Sequence, residues 1–241
     1  MQTPRSSVGL VCLSFVLGSV VGCGKSQPKP EQPGAAQTQP EAAVSHPAYL
    51  DAEHGPKGPG WIALFGDDLS GWKSLPADRQ NSWKVVDGVL ANEPGEHGGT
   101  NIYTEKRFAD FELYFEYRLP ANSNSGVFLR GLYEMQILDD HGQPDDQPKD
   151  WGNGGIWGTK APARNVSKPA GEWQSAAVRM VGQEVTVILN GEKTIDSFAI
   201  PKPTYVYDGL GVEEGKPGPL LLQGDHGRIE YRHVMVRPLE G

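Results

Sequence analysis

Residues 111–119 (FELYFEYRL) constrain the fold more than any other stretch of this chain. Phe111, Leu113, Phe115, Tyr117 and Leu119 fall on one side of an extended backbone, and Glu112, Tyr114, Glu116 and Arg118 on the other. That period of two belongs to a strand with one buried face. Shorter apolar or alternating runs recur at 61–65, 83–91, 126–130, 133–138, 173–181, 184–189, 219–223 and 228–236. Asp87-Gly88 and Asn190-Gly191 are two-residue hairpin signals, because both dipeptides tolerate the positive φ angles of a tight turn. No stretch keeps a 3.6-residue apolar period for three turns, so helices should be few. The 31 glycines and 20 prolines supply the turns that many short strands need. The expectation is an all-β sandwich or barrel.

The N-terminus speaks for export. Arg5 precedes the uncharged run 8–21 (VGLVCLSFVLGSVV), which is shorter than the roughly 20 apolar residues of a membrane span and fits a signal-peptide core. Val-Val-Gly-Cys ends at Cys23 in the manner of a lipobox, so residues 1–22 are read as a lipoprotein signal peptide and Cys23 as the lipidated anchor. An ordinary cleaved signal with an incidental cysteine is the alternative. Residues 23–58 are rich in Pro, Gln, Ala and Gly and hold few large apolar side chains, which predicts a flexible tether. The folded domain is then 59–241. It contains no cysteine, since the chain's two are Cys12 and Cys23, so neither a disulfide nor a thiol nucleophile is available there. The net charge of −8 and the lack of a Lys/Arg cluster argue against a nucleic-acid partner. The expected place is the periplasm or cell envelope, with the membrane reached only through the lipid.

No Gly-rich phosphate loop, Gly-x-Ser-x-Gly or His-Glu-x-x-His occurs, which removes the nucleotide-binding, serine-esterase and zinc-protease readings. Two segments remain that could carry chemistry. In Tyr133-Glu-Met-Gln-Ile-Leu-Asp139, Glu134 and Gln136 share a face, and one β-bulge after Gln136 would bring Asp139 to the same side. Two carboxylates and an amide on one face would suit sugar chemistry as base, acid and hydroxyl anchor. On spacing alone they serve equally well as a solvated acidic strand. Arg130, just before that strand, could meet a developing oxyanion or simply make a structural ion pair. The second segment, 220–227 (LLLQGDHG), sets Gln223, Asp225 and His226 at a strand end among glycines. His226 could act as an acid or a metal ligand, although a lone loop histidine is more often neither. Trp151 and Trp157, in DWGNGGIWGTKAP, could stack on a sugar face; core packing is the alternative for Trp157. The acidic loop Asp139-Asp140-His141 with Asp145-Asp146 lacks EF-hand spacing and reads as solvated.

Five motifs occur in order: Asn124-Ser-Gly-Val-Phe-Leu-Arg130, Tyr133-Glu-Met-Gln-Ile-Leu-Asp139, Lys168-Pro-Ala-Gly-Glu-Trp-Gln174, Leu189-Asn-Gly191 and Leu221-Leu-Gln-Gly-Asp-His-Gly227. With the opening Trp61-Ile-Ala-Leu-Phe-Gly-Asp-Asp-Leu-Ser-Gly-Trp72 they resemble the 3-keto-disaccharide hydrolase domain family. The resemblance implies a concanavalin A-like jelly-roll β-sandwich, akin to the family 16 glucanases. Those glucanases carry Glu-x-Asp-x-x-Glu on a bulged strand. Glu134-x-Gln136-x-x-Asp139 keeps the spacing but changes two of the three residues, so their retaining mechanism, with its two carboxyls about 5–5.5 Å apart, is not carried over.

The chemistry that the resemblance implies acts on a 3-keto-glycoside. The ketone acidifies the C2 proton, a base removes it, the C1 oxygen leaves by β-elimination, and water then adds. On this reading Glu134 is the base, Arg130 or a divalent ion such as calcium or manganese steadies the enolate, and His226 or Asp139 serves the leaving group. Gln136, Asn124, Trp157, Gln223 and Lys168 are the expected substrate contacts. A non-catalytic, lectin-like carbohydrate-binding module is the main alternative, because one sandwich serves both roles. A structural or adhesion domain of the envelope is the third.

Overall fold

The computed structural model of the chain describes residues 50–51, 55–96 and 98–239. The expected signal peptide, Cys23 and most of the 23–58 tether lie outside those residues. The described strands are β1 (Leu50–Asp51), β2 (Gly55–Pro56), β3 (Ile62–Ala63), β4 (Trp72–Leu75), β5 (Trp83–Val86), β6 (Val89–Asn92), β7 (Asn101–Thr104) and β8 (Phe111–Arg118). They continue as β9 (Asn124–Leu129), β10 (Tyr133–Leu138), β11 (Gln174–Val181), β12 (Glu184–Leu189), β13 (Glu192–Ala199), β14 (Leu221–Leu222) and β15 (Ile229–Pro238). No helix occurs among the described residues.

Apart from the small β1–β2 pair, the strands form two antiparallel sheets. One runs β10-β9-β14-β7-β4 and the other β13-β12-β11-β8-β15-β6-β5, with β3 added beside β15. The period-two pattern explains why the sheets meet. Phe111, Leu113, Phe115 and Tyr117 of β8 enter the main core with Val127 and Leu129 of β9, Tyr133, Met135 and Ile137 of β10, and Leu222 of β14. Burying each such side chain stabilises the fold by roughly 1.5–3 kcal/mol relative to leaving it in water. The result is the jelly-roll β-sandwich that the resemblance implied, with its core between the two inner faces.

Both hairpin signals form as expected. Val86 pairs with Val89 and Leu189 with Glu192, around central residues at φ 51° and 74° for Asp87-Gly88 and 52° and 83° for Asn190-Gly191. Positive φ at both central positions is the two-residue turn whose twist matches the flanking strands.

The β-bulge that would bring Asp139 to the Glu134 side does not form. β10 pairs with β9 without a shift, from Tyr133 opposite Leu129 to Leu138 opposite Asn124. Asp139 follows the strand end, where its amide donates to Ser123 O at 3.2 Å, so nothing turns it back to the Glu134 side. Regular alternation puts Glu134 and Gln136 of β10, and Gly126 and Phe128 of β9, on the outer face of the five-stranded sheet. That face carries the site.

Candidate active site

The floor of the site is a lattice of neighbouring strand positions. Gln136 of β10 lies opposite Gly126 of β9, whose carbonyl on the other side accepts from the Gln223 amide at 2.9 Å. One step along the sheet, Glu134 lies opposite Phe128, which lies opposite Leu221 of β14. Gly126 makes room for the carboxyl: a Cβ there would stand 2.5 Å from Glu134 Oε1. The Glu134 backbone is held from both sides. Its amide donates to Thr204 Oγ1 at 2.8 Å and its carbonyl accepts from the Trp157 amide at 3.0 Å.

The Glu134 carboxyl itself makes no hydrogen bond among the described residues, although the residue is only 6% exposed. Burial pushes it up to about 7; the nearby His226 opposes that rise and Asp225 adds to it. A carboxyl poised near neutral pH, with no committed partner, is what a general base needs.

The wall opposite comes from the loop after β14, and two buried asparagines hold it in place. Asn92 of β6 donates through Nδ2 to Gly224 O at 2.8 Å and to Gly227 O at 2.7 Å. Asn101 Oδ1 of β7 accepts from the Gly224 and Asp225 amides at 2.8 and 3.3 Å. The Asn101 Nδ2 group donates to Asp225 Oδ2 at 3.1 Å. Asp225 Oδ1 in turn holds His226 Nδ1 at 2.6 Å. Burial tends to raise Asp225, but the hydrogen bonds from His226 and Asn101 bring it below its ordinary value. The bond to Asp225 raises His226, with burial opposing and Glu134 adding to the rise. The imidazole is thereby oriented with Nε2 uncommitted among the described residues, in the manner of a carboxylate-steered histidine.

Aromatic side chains form the rim. Trp157 is 42% exposed and Tyr205 51% exposed, so Trp157 is not a core residue. Tyr205 and Tyr207 meet edge to face with centroids 4.8 Å apart, and Tyr207 meets Phe128 in the same way at 5.2 Å. Gln223 Nε2 donates to Tyr207 Oη at 2.9 Å. Two acceptors are left over: Gln223 Oε1 and Asn124 Oδ1 are buried with no partner among the described residues. Together Asn124, Phe128, Glu134, Gln136, Trp157, Tyr205, Tyr207, Gln223, Asp225 and His226 line one cleft of about 280 Å³. A larger hollow of about 320 Å³ opens between the ends of β6, β8 and β15, but its ionic groups already pair, as Arg118–Glu230 and Arg228–Glu93. The smaller cleft is the better candidate, because uncommitted polar groups gather there.

Of the residues singled out from the sequence, Glu134, Gln136, Asn124, Trp157, Gln223 and His226 converge on this cleft. Arg130 does not. It sits at φ 56° in the β9–β10 turn, and its guanidinium reaches Ala109 O at 2.6 Å and Asp110 Oδ1 at 2.9 Å. Asp139 is also outside the cleft, where its Oδ2 accepts from the Asn122 amide at 2.8 Å. Lys168 lies on the exposed surface with Nζ bonded to Trp173 O at 3.0 Å. Trp151 lines a separate hollow with Asp140 and Asn165. The acidic loop is partly structural, since Asp140 accepts from Ser167 Oγ at 2.5 Å and from the Asn153 amide at 2.9 Å.

A divalent ion finds no ready cage. Among the described residues no three His, Cys, Asp or Glu side chains converge as a metal-ligand group, and in the cleft Asp225 and His226 are already engaged with each other. These residues do not fit a resident metal.

Residues 60–237 match the family described as the 3-keto-alpha-glucoside-1,2-lyase-like domain. The chain belongs to that family. It is also 24% identical over 216 residues to a 3-keto-disaccharide hydrolase of Bacteroides thetaiotaomicron, covering 74% of each protein. A crystal structure of a candidate glycosyl hydrolase from Parabacteroides distasonis is 30% identical, with a TM-score of 0.61 over 75% of this chain and 84% of that one. A second such structure from the same organism is 24% identical, with a TM-score of 0.61 over 75% of this chain and 94% of the other. Family and relatives together support a function of the glycoside-hydrolase type.

Proposed function

We propose that this protein cleaves 3-keto-glycosides by elimination followed by hydration, with Glu134 as the base and His226 as the acid. The buried, unpartnered Glu134 carboxyl beside the Asp225–His226 pair carries the proposal. Glu134 takes the proton from C2, and the electron pair passes into the C2–C3 enolate. As the ketone re-forms, C1=C2 forms and the C1–oxygen bond breaks. His226 Nε2–H protonates the departing oxygen. Water then adds at C1, giving a proton to His226, while Glu134 returns its proton to C2. Both groups end in their starting states, and the net change is hydrolysis. Asp225 steers the imidazole. Arg130 and Asp139 have no part in this scheme, since each is engaged outside the cleft. A module that only binds sugar would be served by Trp157 and Tyr205 and needs no uncommitted buried carboxyl.

An NMR time course with a 3-keto-glucoside and its unoxidised parent tests the scheme. The expected result is loss of the keto-glucoside alone, falling by about 10²–10⁴-fold in Glu134→Gln. Cleavage of the parent would restore ordinary hydrolysis, and binding of both sugars without turnover would leave a lectin-like module. We further propose that Cys23 carries a lipid anchor in the cell envelope, on the strength of its lipobox-like setting. Mass spectrometry of the mature chain should find a diacylated N-terminal cysteine, and a free cysteine or a different N-terminus would overturn this.

A further inference from the structure

The polar groups left over in the cleft have a pattern that Glu134 and His226 do not use. Three amide side chains surround Gly126 on the outer face of the five-stranded sheet. Gln136 lies across the β9–β10 pairing, Gln223 follows β14 on the other side, and Asn124 is two residues back along β9 on the same face. Gly126 has no side chain of its own, and the Glu134 carboxyl fills the space above it, among the three amides. Gln136 Oε1 accepts from the Ile137 amide at 3.1 Å, which leaves Gln136 Nε2 as a donor without a partner among the described residues. Gln223 spends its Nε2 on Tyr207 and leaves Oε1 buried and unpaired, in a residue only 5% exposed. Asn124 Oδ1 is buried and unpaired as well. The cleft floor thus offers two lone buried acceptors, with Gln136 Nε2 and Asn124 Nδ2 as donors that have no partner among the described residues.

An unpaired buried carbonyl is costly for a free protein, and such groups persist where a ligand supplies the missing partner. Carbons 2, 3 and 4 of a 3-keto-hexoside present the complement: a hydroxyl donor, a carbonyl that only accepts, and a second hydroxyl donor. We infer that Asn124, Gln136 and Gln223 form the subsite that reads this oxidised ring. Asn124 Oδ1 and Gln223 Oε1 accept from the hydroxyls at C2 and C4, and Gln136 Nε2 donates to the oxygen at C3. The inference rests on the proposed function and goes further, because it assigns each oxygen of the reacting segment to a side chain of matching sense.

The two kinds of contact differ in when they act. Hydroxyl contacts are made equally in the bound substrate and in the transition state, so they set KM. The contact at C3 strengthens as the carbonyl oxygen gains enolate charge, so it sets kcat. The same subsite explains a preference for the keto sugar without excluding its parent from binding, since a C3 hydroxyl can still accept from Gln136.

The test uses 2-deoxy and 4-deoxy analogues of the 3-keto-glucoside, with Kd from NMR titration beside kcat and KM. Wild-type protein should bind each analogue about 10- to 100-fold more weakly than the parent keto-glucoside. Gln223→Met and Asn124→Ala should each lose sensitivity to one of the two deletions while remaining sensitive to the other. Gln136→Met should lower kcat at least about 10-fold with KM nearly unchanged. If both acceptor variants stay as sensitive to both deletions as wild type, or if Gln136→Met raises KM alone, the subsite assignment is wrong. The titrations report hydroxyl recognition whether or not turnover occurs. A failed elimination mechanism would show instead as an active Glu134→Gln or an inert wild type.

Discussion

Glu112 and Glu134 are both buried carboxyls on outward faces of the same sandwich, 1% and 6% exposed. Glu112, on β8 of the larger sheet, receives Arg179 at 2.7 Å and Arg237 Nε at 2.7 Å. Its neighbour Glu116 accepts from Tyr114 at 3.0 Å, Arg232 at 2.6 Å and His233 at 3.0 Å. Burial alone would raise Glu116, yet these donors bring it below its ordinary value. Glu134 has the burial without the donors, and its carboxyl moves the other way, up to about 7. Solvent exposure therefore does not separate Glu134 from the paired acids of the larger sheet. The count of committed partners does.

The largest expected difference between the two is in turnover. Glu134→Gln should lower it by about 10²–10⁴-fold, whereas Glu112→Gln should leave kcat within about twofold of wild type once the protein is folded, because Glu112 is engaged by two arginines and lies outside the cleft. Comparable losses in both variants would collapse the contrast.

Stability should divide them in the opposite sense. Glu112→Gln removes the charge that Arg179 and Arg237 share and should cost about 2–3 kcal/mol; the cost falls below that of a fully buried pair because Arg179 reaches solvent. Glu134→Gln should stabilise the fold, and only at higher pH. The folded carboxyl keeps its proton up to about 7, while the unfolded one releases it near 4.5. The stabilising preference for the protonated form is therefore complete below 4.5 and lost as pH rises through about 7, a loss of about 3 kcal/mol in wild type that the glutamine variant escapes. Urea melts of wild type and variant at pH 4.5 and pH 8 read this directly. Equal differences at the two pH values would mean that Glu134 is not held protonated by burial.

The same contrast explains what could be foreseen from the chain and what could not. The β8 alternation and the two positive-φ dipeptides encode their structure locally, so the sandwich and its hairpins were legible. So were Glu134, Gln136 and Gln223, which strand parity and the neighbouring glycines bring to one face. Partners distant in sequence were not. Arg130 stood three residues before β10, but its positive φ turned it toward Asp110, and no local signal marks that choice. The bulge meant to recruit Asp139 had no glycine or local clash to enforce it. Asn101, which clamps the Asp225–His226 loop, sits in the short strand β7, whose four residues include Asn and Thr and gave no apolar run. Tyr205 and Tyr207 were the one missed signal with a visible trace, since the Tyr-Val-Tyr of a proline-flanked loop puts two rings two residues apart.

The smallest effect concerns how the two acids of the cleft divide their work. Asp225 raises His226 through the 2.6 Å bond to Nδ1, which keeps the imidazole charged to higher pH. In Asp225→Asn that support weakens, the imidazole loses its proton earlier, and the alkaline limb of the kcat/KM profile should move to lower pH. The acid limb, which needs Glu134 ionised, is set chiefly by burial and should move little. A shift of the acid limb alone would mean that Asp225 acts on Glu134 by charge repulsion and that the histidine is not the proton donor. A shift of neither would place the Asp225–His226 pair with Glu112 and its arginines, among the bonds that hold the sandwich rather than those that work on a sugar.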